Sequence, residues 1–121
     1  MNKIDNTPNC PVANTLRVFA GKWKPEILWQ LSQTDRLRFN ELQRAVGGVS
    51  AKMLAQQLQE LLRDGLVNRI QLETIPPHVE YQATPLIKTL KPLFDILEQW
   101  YVDNGVVVQK ANKKYDTENS P

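Results

Sequence analysis

The amino-acid sequence predicts an α+β fold, mainly α, in which four helices lead into one β-hairpin and a closing helix. Three observations carry this. Leu54, Leu58, Leu61 and Leu62 recur at i, i+4, i+7 and i+8, the spacing of a helix with one apolar stripe. The periodicity then changes to two over residues 68–73 and 79–84, on either side of Thr74-Ile75-Pro76-Pro77-His78. A short amphipathic stretch before the leucine stripe is separated from it only by Gly47-Gly48-Val49, which leaves room for a tight turn and nothing larger.

Taken in order, residues 1–9 are polar and read as a flexible arm. Cys10-Pro11 opens the first helix, with proline where its missing N–H costs nothing. Val12, Leu16 and Phe19 or Ala20 give that helix a stripe expected to be buried, and Gly21 ends it. The second helix starts near Lys24-Pro25, carries Ile27, Leu28 and Leu31 with Trp23 and Trp29 at its flanks, and breaks at Thr34-Asp35. Leu37-Arg38-Phe39 is a brief extended piece. Asn40 then reads as the N-cap of a third helix, with Gln43 completing a capping box and Leu42, Ala45 and Val46 forming its apolar face.

Ser50 caps the fourth helix, about residues 51–64, and Gly65 supplies its C-terminal stop. In the hairpin, Ile70 and Leu72 alternate with Arg69, Gln71 and Glu73, while Val79, Tyr81 and Ala83 alternate with Glu80, Gln82 and Thr84. The prolines belong at its tip, since they cannot join a ladder. Thr84-Pro85 starts the last helix, which should bend at Pro92. That helix has two apolar sets: Leu86, Leu90, Leu93, Leu97 and Trp100, and Ile87, Phe94 and Tyr101. One stripe suffices to dock on its own domain; the second implies a partner, and a second copy is the simplest one. Ile87, Leu90, Phe94, Leu97 and Tyr101 are the expected dimer contacts. Residues 10–105 thus form one domain, and 106–121 read as a disordered tail. The order of elements is that of a winged helix-turn-helix with an added C-terminal dimerisation helix.

Bulk properties narrow the function. With 121 residues, 41% hydrophobic and 23% charged, the chain suits one soluble domain. No apolar run approaches the roughly 20 residues of a membrane span, and the N-terminus lacks a secretory stretch, so a cytoplasmic protein without membrane association is expected. A single cysteine, Cys10, excludes an internal disulfide framework. Net charge is only +2, but residues 20–70 hold eight Lys/Arg against five Asp/Glu, and residues 71–121 hold five against seven. One His, one Cys, no metal-ligand cluster, no glycine-rich phosphate loop and no nucleophile elbow argue against an enzyme and against any cofactor.

A rigid helix fits the major groove of duplex DNA, and side chains on its outer face meet base edges. On the fourth helix these are Lys52, Met53, Gln56 and Gln57: Gln pairs with adenine, Lys reaches guanine, and Met touches a thymine methyl. Ser50 and the helix N-terminus suit a phosphate. Lys22, Lys24, Arg36 and Arg38 are expected on the flanking backbone, and His78 on the wing. The same outer face would also serve a protein-interaction module, and salt-sensitive binding to duplex DNA separates the two.

Cys10-Pro11-Val12, Gly21-Lys22-Trp23, Arg38-Phe39-Asn40-Glu41-Leu42, Ser50-Ala51-Lys52-Met53-Leu54, Asp64-Gly65-Leu66-Val67 and Pro76-Pro77-His78-Val79-Glu80-Tyr81 stand in a specific order and spacing. In this the chain resembles the HxlR-type winged-helix regulators of bacteria, relatives of the MarR type, from Cys10 to about Gly105. The resemblance implies a homodimeric transcription factor whose partners are double-stranded operator DNA and a second copy of itself. It also implies a small-molecule or oxidant effector, since some members sense oxidants or electrophiles through the cysteine before the first helix. For Cys10 two readings stand: a thiolate favoured by the helix N-terminus, or a plain structural residue. His78 stands where the family often has Arg or Lys, which implies a weaker or pH-dependent wing contact.

Overall fold

The computed structural model describes residues 9–121, so all but the last residue of the expected N-terminal arm lies outside the described residues. The elements run α1 (Pro11–Phe19), α2 (Lys24–Ser32), β1 (Leu37–Arg38), α3 (Phe39–Val46), α4 (Ala51–Arg63), β2 (Val67–Leu72), β3 (His78–Ala83) and α5 (Pro85–Glu118). The helix pair α3–α4 followed by the β2–β3 hairpin is a winged helix-turn-helix. The chain divides into two compact units, one ending at Lys88 and the other Thr89–Pro121.

In the first unit the core is aliphatic: Ile27, Leu28 and Leu31 of α2, Leu42 and Val46 of α3, and Leu54, Leu58 and Leu61 of α4. Phe19, Val49, Leu66, Val67 and Ile87 complete it. Each such side chain removed from water stabilises the fold by about 1.5–3 kcal/mol. The stripe expected on α1 is buried only at Phe19; Val12 and Leu16 are exposed.

Helix α3 starts two residues earlier than the Asn40 cap predicts. Arg38 is the N-cap, with extended ψ of 160°, because β1 holds it in a ladder opposite Glu80. Glu41, not Gln43, supplies the capping carboxylate: its Oε1 accepts the Arg38 backbone N–H at 2.9 Å. Gln43 instead donates to the Val49 carbonyl at 3.1 Å and so braces the turn between α3 and α4. Gly47 permits that turn, since its φ of +71° is costly for any residue with a Cβ. At the other end of α4 Gly65 has φ +80°, its N–H reaching Leu62 O and the Leu66 N–H reaching Leu61 O, a Schellman closure.

The sheet is antiparallel in the order β1-β3-β2. Its register sets Ile70 opposite Glu80 and Leu72 opposite His78, while Tyr81 lies between Arg69 and Leu37. Ile70 and Leu72 therefore point to the face opposite Val79 and Tyr81, and every residue of β3 is half-buried.

The second unit corrects the reading of the C-terminus. α5 continues through Pro92, whose missing N–H leaves the Lys88 carbonyl without its helical donor, and on past Gly105 to Glu118. A helical glycine costs only about 1 kcal/mol relative to alanine, which does not end a helix with neighbours to support it. Here the Tyr101 ring lies over Gly105, and Gln109 Nε2 donates to Tyr101 Oη at 3.1 Å, spanning the glycine. Residues 106–118 are thus helix, not a disordered tail.

Candidate nucleic-acid interface

Helix α4 sorts its residues by face. Leu54, Leu58 and Leu61 are buried on one side, and Lys52, Ala55, Gln56, Gln59 and Arg63 are exposed on the other. Lys52 and Gln56, four residues apart, stand one above the other near the N-terminal half. Met53 and Gln57 flank them, half-buried and engaged with each other, Gln57 Nε2 lying 3.6 Å from Met53 Sδ. The Ser50 side chain accepts the Met53 N–H at 3.1 Å, so its oxygen caps the helix while the residue stays exposed.

The flanking basic residues divide. Lys22 is exposed, its ammonium 4.8 Å from the centroid of the Trp23 ring. Lys24 is no backbone contact: it is 8% exposed and its Nζ lies 3.1 Å from Glu60 Oε1 of α4. The reason is positional, since Lys24 enters α2 on the same side as the buried Ile27, Leu28 and Leu31. Arg36 is exposed but neutralised in part by Asp35 at 3.9 Å and Glu80 at 3.7 Å. Arg38 is exposed and has no carboxylate within salt-bridge distance among the described residues.

His78 does not project from the wing. Its Nδ1 lies 2.9 Å from Thr74 Oγ1 and its Nε2 lies 3.2 Å from Glu80 Oε2. The Thr74 hydroxyl also donates to the Pro76 carbonyl at 2.8 Å, which ties the ring to the backbone of the tip. The residues that project at the tip are Thr74, Ile75, Pro76 and Pro77, with Ile75 fully exposed.

Two residues that sequence reasoning passed over belong here. Asn40 and Arg44 share the exposed side of α3 and, with Arg36, Arg38, Glu41 and Glu80, line a common open recess. The signal was present as their i, i+4 spacing opposite Leu42 and Val46, but nothing in the linear order ties them to β1 and β3.

Cys10 is the N-cap of α1, exposed and without a side-chain cap bond. Of the expected dimer contacts, Ile87 is excluded, being 3% exposed within its own core. Leu90 and Phe94 are half-buried, whereas Leu97, Trp100 and Tyr101 are exposed, as are Ile96, Val102, Val106 and Val107 on the same helix. Among the described residues no helix is long and apolar enough to cross a membrane.

Comparison with known proteins agrees with this geometry. Residues 18–108 match the family model described as HxlR-like helix-turn-helix. An HTH-type transcriptional regulator of Halalkalibacterium halodurans is 40% identical over 102 residues, 84% of this chain and 90% of the relative. The HTH-type transcriptional regulator YtfH of Escherichia coli is 43% identical over 91 residues, 75% of this chain and 71% of that one. Among solved structures, the redox regulator HypR in its reduced form superposes with a TM-score of 0.77 at 36% identity, covering 84% of this chain and 99% of its own.

Proposed function

The chain belongs to the HxlR-like helix-turn-helix family of transcriptional regulators, and on that premise we propose that it binds a specific duplex operator as a homodimer in the bacterial cytoplasm. One observation carries the reading: α4 buries Leu54, Leu58 and Leu61, with Leu62 half-buried, and turns Lys52 and Gln56 outward from a helix held rigid at both ends. A helix so anchored can lie in the major groove, where these two side chains have the length and donors to distinguish bases. Lys22, Arg36, Arg38 and the exposed end of α4 at Ser50 supply phosphate contacts, which position the protein without reading sequence.

The dimer reading rests on exposed apolar surface. Leu97, Trp100, Tyr101 and Val106 on α5, and separately Val12 and Leu16 on α1, lie open to solvent. A monomer rarely leaves so many large apolar side chains uncovered. A two-fold dimer would cover such a helix face and present two recognition helices to successive major grooves about one turn apart. The regulator performs no catalysis and needs no cofactor.

An oxidant signal is read through Cys10. Support comes from its exposure at the N-cap of α1 and from the likeness to a structure described as a redox regulator. Two Cys10 thiols from the two copies, or one and a small thiol, lose two electrons and two protons to a peroxide-class oxidant and form one S–S bond.

Fluorescence anisotropy with operator and random duplexes tests the central reading. Gln56→Ala loses roughly 1–3 kcal/mol on the operator and nothing on random duplex. Affinity falls steeply with salt, as phosphate neutralisation demands. Unchanged operator affinity in Gln56→Ala would show that α4 does not read the bases.

A further inference from the structure

Arg36 precedes the short strand β1 and Arg38 is its last residue, and Arg44 follows Asn40 by one turn on the exposed side of α3. With Glu41 and Glu80 they line one open recess of about 590 Å³. Its carboxylates are not equally available. Glu41 is committed to the fold, its Oε1 closing the N-terminus of α3 on the Arg38 N–H at 2.9 Å. Glu80 is divided, Oε1 lying 3.7 Å from Arg36 Nη1 and Oε2 3.2 Å from His78 Nε2. Arg38 and Arg44 have no carboxylate within salt-bridge distance among the described residues. Arg38 and Arg44 thus bring two guanidinium groups to one recess without a paired carboxylate, and an anion entering it would supply the missing counter-charge.

The donors define the anion. Guanidinium forks match the tetrahedral oxygens of phosphate and bind them in pairs, and the Asn40 amide adds a neutral donor. We propose that Arg36, Arg38, Asn40 and Arg44 form a phosphate-binding site, and that Glu80 is its built-in competitor for Arg36. The proposal rests on the DNA-binding reading for the source of the phosphate, a backbone phosphate of the duplex. At 3.7 Å the Glu80–Arg36 pair is beyond hydrogen-bonding range, so Arg36 exchanges it for a direct bond to a phosphate oxygen at little cost. When Arg36 turns away, Glu80 still has its second contact, Oε2 to His78 Nε2 at 3.2 Å.

The experiment has two arms, both on the full chain, with circular dichroism melts to verify folding of each variant. In the first, anisotropy measures binding to a random-sequence duplex across a salt series. Arg44→Ala lowers affinity about threefold to tenfold and flattens the salt slope by about one, while Arg44→Lys loses less. Glu80→Gln raises affinity about threefold, and more than Asp95→Asn, which removes the same charge from α5. Unchanged affinity and slope in Arg44→Ala, or weaker binding in Glu80→Gln, overturns the proposal. In the second arm, inorganic phosphate is titrated into the protein without DNA while backbone amide NMR signals are followed. Movement of the Asn40 and Arg44 signals supports the site, and their loss in Arg44→Ala ties it to the arginine. If the wild-type protein binds no duplex, the reading of α4 fails by itself. The phosphate titration then decides the recess, which stands as a site for free phosphate if those signals move and is refuted if they do not.

Discussion

Removing either member of the Lys24–Glu60 pair breaks the same 3.1 Å contact, yet the two deletions have unequal consequences. The side chain of Lys24 is 10% exposed and that of Glu60 36%. Glu60→Ala leaves an ammonium almost out of water with no other carboxylate within salt-bridge distance among the described residues. Desolvation of an unpaired buried charge costs about 3–5 kcal/mol when burial is complete, and the residual exposure of Lys24 brings the expectation to about 2–3 kcal/mol. Lys24→Met keeps the apolar stem and removes the charge, leaving Glu60 to be hydrated at its open side. That change costs about 0–1 kcal/mol, in the range of exposed ion pairs. Urea unfolding at fixed protein concentration measures both, and the double variant should be close to Lys24→Met alone, because no buried charge remains. The same pair tests the exclusion of Lys24 from the interface: Lys24→Met should leave the salt slope of duplex binding unchanged. A loss in Lys24→Met as large as in Glu60→Ala would refute the asymmetry, and a slope reduced by about one would return Lys24 to the phosphate contacts.

Other substitutions probe the helix faces and the thiol. Trp100→Glu places a charge on the exposed apolar side of α5, and if that face forms the proposed dimer, sedimentation should show a dimer for the native chain and a monomer for the variant at the same concentration; a persistent dimer in the variant rejects that face as the interface. Gly105→Ala sets a Cβ 2.8 Å from Tyr101 Cε1, so the ring must move and release Gln109. The gain of about 1 kcal/mol expected for helical Gly→Ala should therefore appear in a Tyr101→Ala background and be reduced in the native one, as read by urea unfolding. Equal gains in both backgrounds would show that the ring yields freely. Mild oxidation should change operator affinity in the native protein and not in Cys10→Ser; equal affinities before and after oxidation in both would make Cys10 structural.

Local patterns in the chain carry most of the architecture. The leucine spacing of α4 identifies a helix with one buried face, since a 3.6-residue period admits few other solutions. Gly65 and Pro85 mark boundaries that the structure keeps, because each meets a backbone demand that its own residue satisfies. Lys52 and Gln56 follow from the same arithmetic: with Leu54, Leu58 and Leu61 buried, these positions face outward wherever the helix docks.

Contacts between distant segments were decided by the tertiary structure. Pairing of β1 with β3 sets Arg38 opposite Glu80, moves the N-cap of α3 from Asn40 to Arg38, and assembles the arginine recess from three elements. No periodicity encodes which strand edge a two-residue segment will join. Lys24 looked like any other surface lysine until α4 brought Glu60 against it across 36 residues of sequence. Ile87 and Tyr101 read as one stripe on a helical wheel, yet the first is buried in its own core and the second is 56% exposed. A helix pattern records which residues share a side, and only the packing of the chain decides which stretch of that side is covered.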